Sequence, residues 1–459
     1  MTLRRFNLLS RVMIGFEGTE VPDYLSGLAD RGLRSVALYG ENIESPEQLK
    51  RLVRNLRDVL GPDAIIAIDE EGGVVTRVDY RTGSRFAGNG FLGRANDLQL
   101  TERDGELIGL LLGSLGVNLN LAPVADVNSE PFNPVIGMRS FGSNSAEVSG
   151  HVASFVVGHE RAGVGSTLKH FPGHGNVTID SHASLPKAPG GLGELRRTQF
   201  EPFKKGIEAG TSAVMLAHLD VGIGEPTSLS SEIVQILREE LHFEGLIVTD
   251  ALDMGALGPR ALISENALRA LLAGVDIVCM GPRTQVEELD QIEELWASVD
   301  EEAAHRNSSE ASQRLEVFVD RHIQHHSKSI ETVEYPDSLP EIFFEDKAQV
   351  IRMSGSANPA IGEVPWYPMV DVDCEFSEIQ DVSALVENFD GLSVVLTQTI
   401  GDLKVLEQNL SPELYERTLV ISSELPPPNF LLRSICTFGS GLPQSRLLAK
   451  QLRQKRNQS

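Results

Sequence analysis

Residues 168–186, LKHFPGHGNVTIDSHASLP, set His170, His174, His182 and Asp180 among four Gly or Pro breaks. Three chemistries use such residues. A metal cradle would take the imidazole nitrogens and the carboxylate as ligands, but the His-x3-His spacing of His170 and His174 needs a helix to align both rings. HFPGHG cannot be helical through its Pro and two Gly. A phosphate loop would read GxxxxGK[ST], whereas Lys169 precedes this loop. The third chemistry is acid/base. Asp180 and His182, two apart in a turning loop, can approach on one side, so that the carboxylate holds one ring nitrogen while the other faces a reactant. Taken singly, each histidine is also compatible with a plain loop hydrogen bond.

Asp250, in GLIVTDALDMGAL, is equally suited to capping the following turn and to attacking an electrophilic carbon. With a separate proton donor, such a carboxylate gives two-step displacement at an acetal centre. In IDEEGGVVTR, Asp69 could grip hydroxyls with Arg77 to orient it, and the Gly72-Gly73 pair could bring backbone close to a ligand. An acidic turn bonded to Arg77 is the bland alternative. Arg139 sits in the turn-rich NPVIGMRSFG, where a structural arginine is equally ordinary.

The elements that must position these residues recur along the chain. Short aliphatic runs start at 12, 35, 64, 117, 166, 213, 246 and 276, with helical patterns between most of them. In the clearest, Leu49, Leu52, Val53, Leu56 and Leu60 share one face after Ser45-Pro46, with Gln48 placed for a capping box. Eight strands alternating with helices predict a (β/α)8 TIM-like barrel, with an open doubly wound sheet as runner-up. In a barrel, chemistry gathers at the C-terminal strand ends, where Asp69, His170, His218 and Asp250 fall.

At 459 residues the chain exceeds one ordinary core. The polar, charged stretch from about 285 onward predicts one or two closing helices. We therefore expect a catalytic barrel over 1–330, a linker over 331–345 and a small α/β domain over 346–459. Forty Lys+Arg against 65 Asp+Glu, a net charge of −25, argue against nucleic acid or an anionic membrane as partner. Cys279, Cys374 and Cys436, odd in number and set in apolar runs, suit reduced thiols and a cytoplasmic location. The N-terminal run is broken by Asn7, Ser10 and Arg11 and reads as folded protein, and no apolar segment reaches the roughly 20 residues of a membrane span.

Together, KHFPGHGNVTIDSHASLP, IDEEGG..TR, LAPVADV, IGMRSFG, LAHLDVG....TSLS and FEGLIVTDALDMGAL resemble glycoside hydrolase family 3, specifically its β-N-acetylglucosaminidase branch. The 169–186 loop separates this branch from the family's β-glucosidases. The resemblance implies Asp250 as nucleophile, His182 as acid/base and Asp180 as its orienting partner. It implies that Asp69, Arg77, Arg139, Lys169 and His170 line the pocket for a terminal N-acetylglucosamine, with no metal and no organic cofactor. Glu70 and Val74 stand where the branch commonly shows Gln and Arg, Met138 where Asp precedes Arg139, and Asn176 where Asp is common. The tail from about 345 looks like a shortened second domain of the family. The expected activity is a retaining exo-β-N-acetylhexosaminidase, a monomer or homodimer acting on carbohydrate such as cell-wall muropeptides. A phosphorylase resolving the same intermediate with inorganic phosphate, a retired sugar-binding barrel and a metal hydrolase are the competing readings.

Overall fold

The computed structural model describes residues 7–322, five strands between 348 and 436, and residues 406 and 408. All eight expected barrel strands form: β1 (Val12–Ile14), β2 (Ser35–Leu38), β3 (Ile65–Ile68), β4 (Leu119–Asn120), β5 (Thr167–Phe171), β6 (Ala213–Leu216), β7 (Leu246–Thr249) and β8 (Val278–Cys279). β4-β3-β2-β1-β8 form one parallel sheet and β5-β6-β7 another. Parallel bridges Leu119↔Gly165, Val124↔Lys169 and Val248↔Ile277 join the two. The β1–β8 pairing closes the ring and excludes the open doubly wound alternative.

The side-chain period of two explains why so short a set of strands suffices. Met13, Ala37, Ile65, Ala67, Ala213, Met215, Leu246 and Val248 pack together inside the barrel. Their neighbours Val12, Ile14, Val36, Leu38, Ile66, Ile68, Val214, Leu216 and Ile247 pack outward under the helices. Small Ala residues at three inward positions leave room for Met and Leu from neighbouring strands. Leu315, Phe318 and Val319 of the helix Glu301–His322 join the inner cluster and close the barrel floor. Gly165 is needed there, because a Cβ would lie 2.6 Å from the Phe318 ring.

The helix Pro46–Leu60 starts as expected, with Ser45 accepting the Gln48 N–H at 3.1 Å and Pro46 in the first turn. The reciprocal half of the box does not form. Gln48 Oε1 accepts instead from the Glu44 N–H (3.0 Å), while its amide donates to Thr19 and Asn42 carbonyls (2.8 and 3.1 Å), tying the helix to two loops. The helix expected within LRRTQFEPFKKGIEAG divides into Gly191–Thr198 and Phe200–Glu208. Gln199 between them sends its side chain to both the N–H and the C=O of Val127, each at 2.9 Å. The charged stretch forms the helices Val286–Ala297 and Glu301–His322.

Beyond the barrel, β9 (Ala348–Met353), β10 (Phe376–Ile379), β11 (Leu392–Thr397), β12 (Thr418–Ser422) and β13 (Arg433–Cys436) form a parallel sheet in the order β10-β9-β11-β12-β13. The expected 331–345 linker and Cys374 lie outside the described residues. Cys279 is a buried free thiol. Among the described residues, no helix is long and apolar enough to cross a membrane.

Phe318→Ala would open a cavity in the barrel floor. We expect a loss of about 3–5 kcal/mol, measurable by urea unfolding; a loss under about 1 kcal/mol would mean that the terminal helix does not seal the barrel.

Candidate active site

At the C-terminal ends of the strands lies a cavity of about 340 Å³, lined among others by Asp69, Arg139, Lys169, His170, His182 and Asp250. Leu121, Met215 and Cys279 form part of its lining and belong to the apolar cluster inside the barrel. The cavity is therefore a blind pocket.

The order of residues after β3 decides what faces it. Inward and outward positions alternate past the strand end, so Asp69 and Glu71 line the cavity while Glu70 is withdrawn from it. Lys169 Nζ bridges the two acids, 2.7 Å from Asp69 Oδ1 and 2.6 Å from Glu71 Oε1. Arg139 forks onto Glu71, Nε to Oε2 at 3.0 Å and Nη2 to Oε1 at 2.8 Å. Arg77 lies 3.9 Å from Asp69 Oδ2. Burial alone would raise the Glu71 carboxyl, but Arg139 and Lys169 outweigh it and hold it far below the usual carboxylate range. Glu71 was not among the expected site residues. Its one signal was the two-residue spacing from Asp69.

Lys169 and His170 are adjacent in sequence, yet both reach the cavity. The β5–β6 register shifts between Leu168 and Phe171, with Leu168 opposite Val214 but Phe171 opposite Leu216. The extra residue on β5 re-aims the neighbouring side chains. Asp126, wholly buried and also outside the expected set, fixes the result. It accepts from the His170 N–H at 3.2 Å, from His170 Nδ1 at 2.7 Å and from the His174 N–H at 2.7 Å. Burial would raise Asp126, but the His170 ring outweighs it and keeps the carboxyl below its ordinary value. With Nδ1 donating to Asp126, His170 Nε2 is the acceptor that lies 3.4 Å from Arg139 Nη2.

Asp250 directly follows β7. Its N–H donates to Leu216 C=O at 2.9 Å and its Oδ1 accepts the Ala251 N–H at 2.8 Å, so a local cap is present as well as a cavity position. Burial would raise its carboxyl, but the neighbouring His170 and His218 rings and the Ala251 N–H outweigh it and bring it down to about 2. The group is ionised near neutrality.

His218, expected at the mouth, is fully buried and does not line the cavity. Its Nδ1 meets Ser228 Oγ at 2.7 Å and its Nε2 meets the Ala251 C=O at 2.9 Å, so it braces the turn behind Asp250. The Gly72-Gly73 pair serves the protein rather than a ligand: a Cβ on Gly73 would lie 2.9 Å from both the Ala87 C=O and Gly88 Cα. The Asp180–His182 pairing does form. Asp180 Oδ1 accepts from His182 Nδ1 and from the His182 N–H, both at 2.8 Å, on a part-exposed loop. That loop is tied to the chain beyond Asp250 by Gly255 N–H to His182 C=O (3.1 Å) and Ala256 N–H to Ser181 C=O (3.0 Å). The His170 ring engages Asp126 and the His182 ring engages Asp180, while His174 meets Asp126 through its backbone only, and the described residues contain no group of three or more His, Cys, Asp or Glu side chains arranged to hold a metal.

The family model for the glycosyl hydrolase family 3 N-terminal domain matches residues 11–315. The chain belongs to glycosyl hydrolase family 3. It is a glycoside hydrolase. Beta-hexosaminidase A of Pseudoalteromonas piscicida is 35% identical over 288 residues, 57% of this chain, and the chain spans about half, 48%, of that protein's length. A beta-hexosaminidase of Methylococcus capsulatus is 36% identical over 270 residues, 57% of this chain and 80% of that protein. A family 3 beta-N-acetylglucosaminidase from Paenibacillus superposes with a TM-score of 0.80 at 25% identity, over 96% of this chain and 94% of that one.

Glu70 sets the loop that carries Arg77. Its Oε2 accepts the Arg77 and Val78 N–H groups at 2.9 and 3.0 Å, while burial and the nearby Asp79 push its carboxyl up to about 7. A carboxyl raised on folding costs stability once the pH passes from the unfolded value toward the folded one. Glu70→Gln keeps the acceptor and removes the charge. We expect it to stabilise the protein by on the order of 1–3 kcal/mol at pH 8 and to approach neutrality at pH 5; equal effects in thermal melts at both pH values would refute a titrating Glu70.

Proposed function

We propose that the chain is a retaining exo-β-N-acetylhexosaminidase that removes terminal N-acetylglucosamine, with Asp250 as nucleophile, His182 as acid/base and Asp180 as the group that orients it. The observation that carries this reading is that an ionised Asp250 and an Asp180-held His182 serve one blind cavity. In the first step an Asp250 oxygen forms a bond to the anomeric carbon as the bond to the leaving oxygen breaks, and protonated His182 gives that oxygen its proton. In the second step neutral His182 takes a proton from water, whose oxygen displaces Asp250 from the same carbon. Two inversions give retention. Asp180, bonded to Nδ1, leaves Nε2 for the transferred proton.

Asp69 and Lys169 are proposed to hold ring hydroxyls, with Arg77, Arg139 and His170 completing the wall around a single terminal sugar. A blind cavity of about 340 Å³ suits an exo-acting enzyme, because a chain cannot run through it. Bacterial relatives named for hexosaminidase activity support the N-acetylated sugar. Cell-wall muropeptides handled in the cytoplasm are the substrate class we propose. Phosphorolysis would use the same intermediate. Once Asp250 is esterified, Asp69, Glu71 and Asp253 face Lys169, Arg77 and Arg139 in the lining, so charge does not separate phosphate from water there and the product decides.

Mass spectrometry after treatment with a 5-fluoro N-acetylglucosaminyl donor should find the sugar on Asp250, and Asp250→Ala should lose aryl-glycosidase activity. A label on another residue would remove Asp250 from its role. Sugar 1-phosphate as the main product in phosphate buffer would overturn hydrolysis.

A further inference from the structure

His174 is a titratable group in this pocket that the reaction above leaves unused. It is 2% exposed and forms part of the cavity lining. Its backbone is fully engaged: the N–H donates to Asp126 Oδ1 at 2.7 Å and the C=O accepts from Asn133 Nδ2 at 2.8 Å. The ring lies edge-on to His170, centroids 6.1 Å apart, and neither ring nitrogen has a hydrogen-bond partner among the described residues. Burial pushes the ring down to about 4, so near neutrality it carries one N–H donor and one bare nitrogen. A buried donor without an acceptor is costly, and proteins rarely leave one so.

The surroundings limit which acceptor it can have. Both nitrogens are shielded from the cavity's solvent, so a bound sugar does not reach them without movement of the protein. Asp126 already accepts from three donors of His170 and His174. Asn176 Oδ1, in the loop that grows out of His174, is itself a buried acceptor without a donor, so the root of this loop holds unmatched polar groups of both kinds. Four residues further on, Asp180 uses only Oδ1, for the two His182 contacts. A carboxylate is the stronger acceptor of the two, and the His174 ring, if charged, would lower Asp180, which marks the two as neighbours.

We propose that His174 is a positioning residue, donating its ring N–H to Asp180 Oδ2 when the 175–182 loop settles over bound sugar and so extending the Asp180–His182 pair to three members. This rests on His182 being the acid/base. The bond fixes the carboxylate that fixes the imidazole, and the donor that lacks an acceptor gains one in the same movement. Gly173 and Gly175 flank His174, and the tether of Ser181 and His182 to Ala256 and Gly255 holds the far end of the loop. Adjustment is thereby confined to the few residues between His174 and Asp180.

The test uses leaving groups of different basicity. A disaccharide needs protonation of its leaving oxygen, whereas a 2,4-dinitrophenyl glycoside does not, so loss of acid positioning shows on the first alone. For His174→Phe, which keeps a ring but no donor, kcat/KM should fall at least about tenfold on N,N′-diacetylchitobiose and less than about threefold on the dinitrophenyl glycoside. His174→Gln, which retains an N–H, should recover most of the disaccharide activity. Equal losses on both substrates, or no loss on either, would overturn the proposal, the first pointing to the sugar or to Asp250 as the partner. His182→Ala run alongside separates the two failures: if it shows no leaving-group dependence, the acid/base assignment itself is wrong.

Discussion

Buried cations at the mouth of an apolar barrel must be paired, and the carboxylate of Glu71 is what pairs them. Lys169 and Arg139 come from different parts of the chain and both lie in the wall, 2–5% exposed. Neither could be buried there alone, since an unpaired buried charge is costly enough that the group neutralises or the structure rearranges. Glu71 accepts from both and remains ionised through them. Asp69, two residues earlier, then shares Lys169 without having to neutralise it alone. This leaves Asp69 the more exposed of the two acids, at 18% of its side chain against 2% for Glu71, as the hydroxyl-binding role proposed for it requires. The strand end of β3 therefore supplies a fully paired acid and a partly exposed, cavity-lining acid from one alternating stretch.

The opposite problem arises at Asp250. In the role proposed for Asp250 the charge must stay available, and it is stabilised by groups that do not consume it. The Ala251 N–H takes one oxygen, and His170 and His218 act on it through space. His218 is useful because it is buried away from the cavity: held by Ser228 and the Ala251 carbonyl, it shapes the turn that presents Asp250 without competing for its oxygens. Asp126 does comparable service for His170, reached from the loop after β4. Each ligand-facing side chain thus has a buried neighbour of complementary chemistry, and those neighbours come from sequence positions far from it.

That division explains what could be read from the residues alone. The short aliphatic runs of the strands, alternating with helical patterns, are a local property, and they predicted eight strands and a barrel. Asp180 and His182 are two residues apart, so their pairing was legible too. Glu71 and Asp126 were not, because their partners lie 68 and 44 residues away and the one local mark was the two-residue spacing of Glu71 from Asp69. His218 was misplaced for a related reason: a residue just after a strand end points to the mouth or behind it according to the turn that follows, and here Thr227 and Ser228 draw that turn inward. The bulge in β5, where Lys169 and His170 both reach the pocket, likewise has no signature in TLKHF.

The loop after β5 combines two requirements that oppose each other. A proton donor, the role proposed for His182, must be held closely enough to be aimed, yet the loop that carries it must leave the pocket free for a ligand to enter. The hydrogen bonds divide these tasks along the chain. At the root, Asp126 and Asn133 hold the His174 backbone. At the far end, two backbone bonds tie residues 181 and 182 to the segment following Asp250, so the imidazole moves with the turn that carries the carboxylate. Between them Ile179 is 44% exposed and contributes little apolar burial to resist a shift. Anchoring the loop to the Asp250 segment makes the separation of His182 and Asp250 depend on a short backbone ladder, while any adjustment for a ligand falls to the few residues upstream of it.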